Sequence, residues 1–221
     1  MKKQLKRPDA LNQLILKYYP TKKFNIILDV GAKGDTTLNY WESLSPSKIY
    51  SFEPDECSCS ELVKRVKNNH QIEVIQKAVG LENKKDQPFY IHRKNRSANT
   101  LKPSESTDVW TSTSVDVIRL DTFLKEKNIV KVDLIDSDTQ GYDYEVLSGA
   151  GEYLKTVDII CVEVWFSPPE LRGSYKGVQT FEKIMTLMKN NGLELFDFKC
   201  LTYVHNQLSW GEAIFYRHPN E

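Results

Sequence analysis

The sequence predicts an α/β domain: a mostly parallel sheet with helices on both faces. Three observations predict it. Short, nearly unbroken apolar runs at residues 26–30, 72–75 and 158–164 read as strands buried on both faces. Segments with apolar residues at helical spacing alternate with them. At residues 24–38, FNIILDVGAKGDTTL, one such strand runs into a glycine turn and then a helix start, the front half of a nucleotide-binding unit.

Taken in order, residues 9–19 carry Leu11, Leu14, Ile15 and Tyr18 at helical spacing after Pro8 and Asp9, so residues 1–22 form a helical extension packed outside the sheet. The strand at 26–30 ends in Gly31-Ala32-Lys33-Gly34, and a short helix follows at 37–44. The second strand, residues 48–52, ends in Glu53-Pro54-Asp55, where Pro54 stops it. Residues 56–69 form a helix with Leu62, Val63 and Val66 inward, and 72–75 the third strand, followed by Lys77-Ala78-Val79-Gly80. Residues 87–92 and 114–120 alternate as strands around a Ser-, Thr- and Asn-rich loop at 94–113. Asp121 is the expected N-cap of a helix at 121–127. Residues 130–135 form the fourth core strand, with Asp133 a solvated acid near its start, and it ends in Asp136-Ser137-Asp138-Thr139-Gln140-Gly141. A helix with Tyr144, Leu147 and Leu154 inward comes next. Then come the strand at 158–164, a Pro- and Gly-containing loop at 166–178, a helix at 180–190 and strands at 193–198 and 212–216. No repeat or linker divides residues 1–221, so the expectation is one domain.

Thirty basic residues balance thirty acidic ones among 221. That neutrality argues against a nucleic-acid partner held by a global basic field. No apolar run approaches the ~20 residues of a membrane span, and the expected location is the cytoplasm. Cys57, Cys59, Cys161 and Cys200 have no zinc-finger spacing and read as free thiols.

Ligands of such sheets bind at the carboxyl ends of the strands. Glu53 lies 22 residues after Gly31, where an acid accepts ribose hydroxyls in nucleotide-binding folds. The turn spacing is G-x-x-G rather than G-x-G-x-x-G, and Asp29 just before it would repel a phosphate. The same acid would attract a sulfonium or ammonium. The reading therefore moves from NAD towards S-adenosylmethionine.

The stretches DVGAKGDTT, SFEPD, KAVG, VDVIRLDTFL and DLIDSDTQGYDYEVLSGA, in this order over residues 26–163, resemble the FkbM-type S-adenosylmethionine-dependent methyltransferases. The resemblance implies a Rossmann-like class I methyltransferase fold with a seven-stranded sheet. It also implies that Asp29, Gly31 and Gly34 border the methionine part of the cofactor, that Glu53 with Pro54 and Asp55 holds the ribose, and that Ala78 and Val79 lie against the adenine. Asp138 and Gln140 would face the methyl group and the acceptor; read from the residues alone, they could instead cap the following helix. Ser97, Asn99 and Thr100 would border the site. Lys33 and Asp136 depart from the family pattern, which has asparagine and lysine there, and Asp143 replaces a glutamate.

The expected reaction is methylation of a hydroxyl on a small molecule or glycan. Asp138 or His92 would take the proton, with His92, beside the polar loop, the one histidine worth testing as a base. Trp165 and Phe166 could line an acceptor pocket. Asp136 and Asp138 could hold Mg²⁺ as in catechol-type O-methyltransferases, although the favoured reading assigns no metal. The rivals are a cofactor-binding protein without catalysis and a nicotinamide-dependent oxidoreductase.

Overall fold

The computed structural model describes residues 7–32, 35–102, 109–167 and 175–219. Lys33 and Gly34, and parts of both long loops, lie outside these residues. The chain runs α1 (Arg7–Tyr18), β1 (Ile26–Val30), α2 (Asp35–Ser43), β2 (Lys48–Phe52), α3 (Glu56–Val66), β3 (Ile72–Ile75), β4 (Ala78–Val79), β5 (Lys84–His92), β6 (Trp110–Ile118) and α4 (Leu120–Glu126). It continues with β7 (Leu134–Ser137), α5 (Asp143–Ser148), β8 (Ile159–Trp165), α6 (Phe181–Asn190), β9 (Glu194–Val204) and β10 (Gln207–Tyr216).

Seven strands form the main sheet in the order β3-β2-β1-β7-β8-β10-β9, and β10 runs against its neighbours. The apolar residues of the inner strands divide between two cores. Ile27, Leu134, Ile159 and Cys161 pack with Leu11, Leu14 and Trp41 on one face. Leu28, Ile135, Ile160 and Val162 pack with Leu124, Val146 and Met188 on the other. Successive side chains of a strand point to opposite faces, so covering both faces demands the unbroken apolar runs seen in the sequence. The strand order reverses between β1 and β7, which opens a crevice at their carboxyl ends.

The alternating segments around the polar loop do not join the main sheet. β5 and β6 pair antiparallel, and β4 pairs parallel to β6, making a separate three-stranded sheet. The polar loop is also shorter than 94–113, because residues 110–113 extend β6 opposite Phe89–His92. An isolated bridge between Tyr90 and Thr100 folds the loop's start back on β5.

Three further expectations need correction. The fourth core strand is β7, Leu134–Ser137, rather than residues 130–135, and Val130 is exposed. Asp133 is not solvated: it is buried, accepts the backbone N–H groups of Asn25 and Ile26 at 2.6 and 2.9 Å, and pairs with Lys22 at 2.5 Å. These contacts hold its carboxyl below the usual aspartate range against the opposing effect of burial, and they tie the entry of β1 to β7. Asp121 does not cap α4, which starts after Arg119; it sits in the first turn and pairs with the Arg119 side chain at 2.8 Å. All four cysteines are free thiols, with Cys59 and Cys161 buried. No helix among the described residues is long and apolar enough to cross a membrane.

Candidate active site

At the end of β1 the chain turns through Gly31 with φ +83°, and a Cβ there would lie 2.1 Å from the Asp138 carbonyl oxygen. Only glycine allows both the conformation and the approach. The Gly31 and Ala32 N–H groups donate to the Phe52 carbonyl, and the Asp138 N–H donates to the Val30 carbonyl. The ends of β1, β2 and β7 are thereby held together around a cleft with a cavity of about 160 Å³.

Asp29 is buried beside Ser51 and Asp136, its register partners on β2 and β7, and accepts the Ser51 hydroxyl at 3.2 Å. Both Asp29 and Asp136 line the cleft. Two carboxylates side by side in a partly dry site create a field that favours a cation.

Glu53, at the end of β2, also lines the cleft, and the Asp55 N–H donates to its Oε1 at 2.8 Å. Pro54, Ala78 and Val79 complete this end, with Lys77 beside them. Asp55 has a different job. Its carboxylate caps α3, accepting the Ser58 N–H at 3.4 Å and hydroxyl at 2.7 Å, and it pairs with Arg96 at 3.1 Å. It is not among the residues lining the cleft.

The loop between β5 and β6 adds Arg96, Ser97, Asn99 and Leu101 to the lining. Thr100 is buried behind it and donates its hydroxyl to the Gln140 carbonyl at 2.9 Å. Lys102 ties three segments together. Its ammonium lies 2.5 Å from the Glu145 carboxylate, donates to the Gly177 carbonyl at 2.8 Å, and sits 5.0 Å from the centre of the Tyr142 ring. Tyr142 lines the cleft and packs against Gly80, where a Cβ would come within 2.9 Å of its ring.

Asp138 and Gln140 face the same cleft. The Gln140 amide donates to Asp138 Oδ1 at 2.8 Å and to Glu163 Oε1 at 3.3 Å, and its oxygen lies 3.3 Å from the Tyr175 hydroxyl. Neither residue caps α5. The helix has no side-chain cap, and its first residue, Asp143, instead holds the loop before it: the carboxyl accepts the Ser137 hydroxyl at 2.6 Å and the N–H groups of Thr139 and Gly141 at 3.0 and 3.3 Å. Burial pushes Asp143 up to about 7 and pushes Glu163 well above the usual glutamate range, with the Asp138 charge adding to both. Burial likewise raises the Tyr175 phenol, which therefore stays a hydrogen-bond donor.

His92 is not part of this arrangement. Its Nδ1 accepts the backbone N–H groups of Lys94 and Asn95 at 3.2 and 3.0 Å, its ring meets Trp110 edge-on, and it does not line the cleft. Trp165 lies behind the cleft with Tyr175 and Trp210 rather than on its surface. Gly34 lies outside the described residues. Among the described residues no group of three His, Cys, Asp or Glu side chains is arranged to hold a metal ion.

Arg96, Tyr175 and Lys102 were not foreseen. They lie in or beside polar loops, where no periodic pattern assigns direction; the fold puts Arg96 in the cleft lining and sets Tyr175 and Lys102 against Gln140 and Tyr142, which line it. Glu163 did carry a signal, as the one acid in the apolar run IICVEVW.

The model of the methyltransferase FkbM domain matches residues 29–195. A search of curated proteins found no match. The chain is similar in structure to the methyltransferase FkbM from Methylobacillus flagellatus KT, at 11% identity and a TM-score of 0.51 over 88% of this chain and 44% of that one. It therefore spans less than half the length of that relative. It is similar over 93% of both chains to the N-methyltransferase NodS from Bradyrhizobium japonicum WM9, at 11% identity and a TM-score of 0.50. SMU.1697c from Streptococcus mutans, solved in complex with SAH, aligns over 96% of this chain and 99% of its own, at 10% identity and a TM-score of 0.50. At such low identity these structures speak for the α/β methyltransferase fold alone.

Proposed function

This chain belongs to the methyltransferase FkbM domain family, and we propose that it transfers the methyl group of S-adenosylmethionine to a hydroxyl oxygen of a small molecule or glycan. The observation that carries this reading is the placement of Asp29, Glu53 and Asp138 at the ends of three adjacent parallel strands around one cleft. The donor set fits the cofactor. Glu53 suits a ribose diol, apolar Ala78 and Val79 suit an adenine face, and Asp29 suits the ammonium of the methionine part. When bound, S-adenosylmethionine supplies an electrophilic methyl carbon on a sulfonium centre.

The protein's own part is to hold, orient and deprotonate. Gly31 lets the backbone bring Asp29 and Asp138 to one cleft. Asp138 is the group placed to take the acceptor proton, because it faces the cleft while His92 does not. Gln140 holds that carboxylate by a hydrogen bond. Proximity and alignment of the acceptor supply much of the rate. Mg²⁺ assistance at Asp136 and Asp138 is a separate reading that a chelator tests.

Calorimetry with S-adenosylmethionine, S-adenosylhomocysteine and NAD, on the wild type and Glu53→Ala, tests the proposal. The expected result is binding of both sulfur nucleotides, weakened in the variant. Folded protein that binds neither would overturn it. Binding without turnover on a panel of hydroxyl compounds would instead favour a non-catalytic role.

A further inference from the structure

Glu163 is buried at the carboxyl end of β8, is 6% exposed, and does not line the cleft. It meets the cleft through one residue. The Trp165 indole N–H donates to Oε2 at 3.2 Å, which leaves Oε1 to the Gln140 amide at 3.3 Å. The same amide nitrogen reaches Asp138 at 2.8 Å. At the other end of the amide the Tyr175 hydroxyl lies 3.3 Å from its oxygen and 3.2 Å from the Ala98 carbonyl, while the nitrogen faces the two carboxyls. Gln140 has φ +55°, a backbone state a glutamine holds only where its surroundings impose it.

The amide is thus gripped from three sides, and Glu163 is its fixed inner anchor. An Asp138 carboxylate lacking this support would turn about its terminal torsion, which is soft and broad in carboxylates. Burial suits Glu163 to the role. Burial, with Asp138, Asp143 and Glu212 around it, holds the group well above the usual glutamate range, which disfavours another negative charge behind Asp138.

We propose that Glu163 is a positioning residue for methyl transfer, anchoring the Gln140 amide so that Asp138 stays aimed into the cleft. The proposal rests on the reading of Asp138 as the proton acceptor.

The direct readout is the Gln140 side-chain amide in ¹⁵N-labelled protein saturated with S-adenosylhomocysteine, assigned by its loss in Gln140→Met. In Glu163→Leu these protons exchange with solvent at least about fivefold faster, as loss of a hydrogen bond of ordinary strength requires. Glu163→Gln, which preserves shape, keeps an oxygen for Gln140 but turns an N–H towards that of Trp165. It should be disturbed alone and recover slow exchange when Trp165→Phe removes the opposing donor. The two glutamine variants carry the test if Glu163→Leu does not fold. Unchanged exchange in folded Glu163→Leu, or no recovery in the double variant, overturns the proposal.

On any acceptor the protein turns over, Glu163→Leu lowers kcat and leaves the KM for S-adenosylmethionine in place; equal loss in both would also overturn it. If the wild type binds no S-adenosylhomocysteine, the methyl-transfer reading fails, while amide exchange in the free protein still decides whether Glu163 anchors Gln140.

Discussion

The carbonyl oxygen of Asp138 occupies the space that a side chain on Gly31 would need, 2.1 Å from the position of the missing Cβ. The turn after β1 and the loop after β7 are therefore in backbone contact, and neither can move alone. Gly31→Ala must shift one of them as well as adopt a positive φ. The expected cost is about 2 kcal/mol or more of folding stability, read by urea unfolding. Cofactor affinity should fall with it.

Glu53→Ala leaves β2 intact, since Pro54 still ends the strand, but removes the carboxylate proposed to hold the ribose. Hydrogen bonds to a charged group are worth about 1.5–3 kcal/mol each. S-adenosylhomocysteine affinity should drop at least about tenfold by calorimetry, with the melting temperature of the free protein little changed. A variant that binds as tightly as the wild type would remove Glu53 from the ribose site.

Lys102→Met breaks the tie between the β5–β6 loop, α5 and the Gly177 carbonyl and strands the largely buried Glu145 carboxylate. Breaking a buried pair by deleting one partner costs about 3–5 kcal/mol. Glu145→Gln in the same chain should recover a large part of that loss. Urea unfolding of the two single variants and the double variant measures the coupling.

Asp143 gives the fold a pH dependence of known sign. Its carboxyl is raised from 3.8 to about 7 in the folded chain. Between these values the folded state holds a proton that the unfolded state has lost, so this contribution to stability is present at low pH and declines as pH rises. The decline ends a little above pH 7. Comparing unfolding free energies of the wild type and Asp143→Asn from pH 4 to 8 isolates the effect, because other titrating groups contribute to both chains. A difference that grows in the opposite direction would exclude it.

The central sheet was legible because strands covered on both faces must be apolar throughout, and runs such as Ile26–Val30 and Ile159–Trp165 have little other reading. Lys48–Phe52 and Ile72–Ile75 were placed to the residue. The strand ends were legible for a related reason: Asp29, Glu53 and Asp138 stand where apolar patterning stops, and all three line one cleft. Less was legible where contacts are long-range. Val130 is apolar but exposed, whereas Asp133 is charged but buried, because Lys22 and two backbone N–H groups more than a hundred residues away in sequence receive it. Asp55 stands beside Glu53 in sequence, and its oxygens reach α3 and Arg96. His92, singled out for its place beside the polar loop, has two local backbone donors on its Nδ1 and does not line the cleft.

The pairing of β4 with β6 has a consequence for how this scaffold could be altered. Ala78 and Val79 line the cleft and are also the edge of the small three-stranded sheet, paired with Val117 and Ile118. That sheet carries the loop that adds to the same lining. The small sheet is therefore not an interchangeable cassette. Grafting it from a relative to change the loop would bring new residues at the Ala78 and Val79 positions with it, so these two parts of the cleft lining change together.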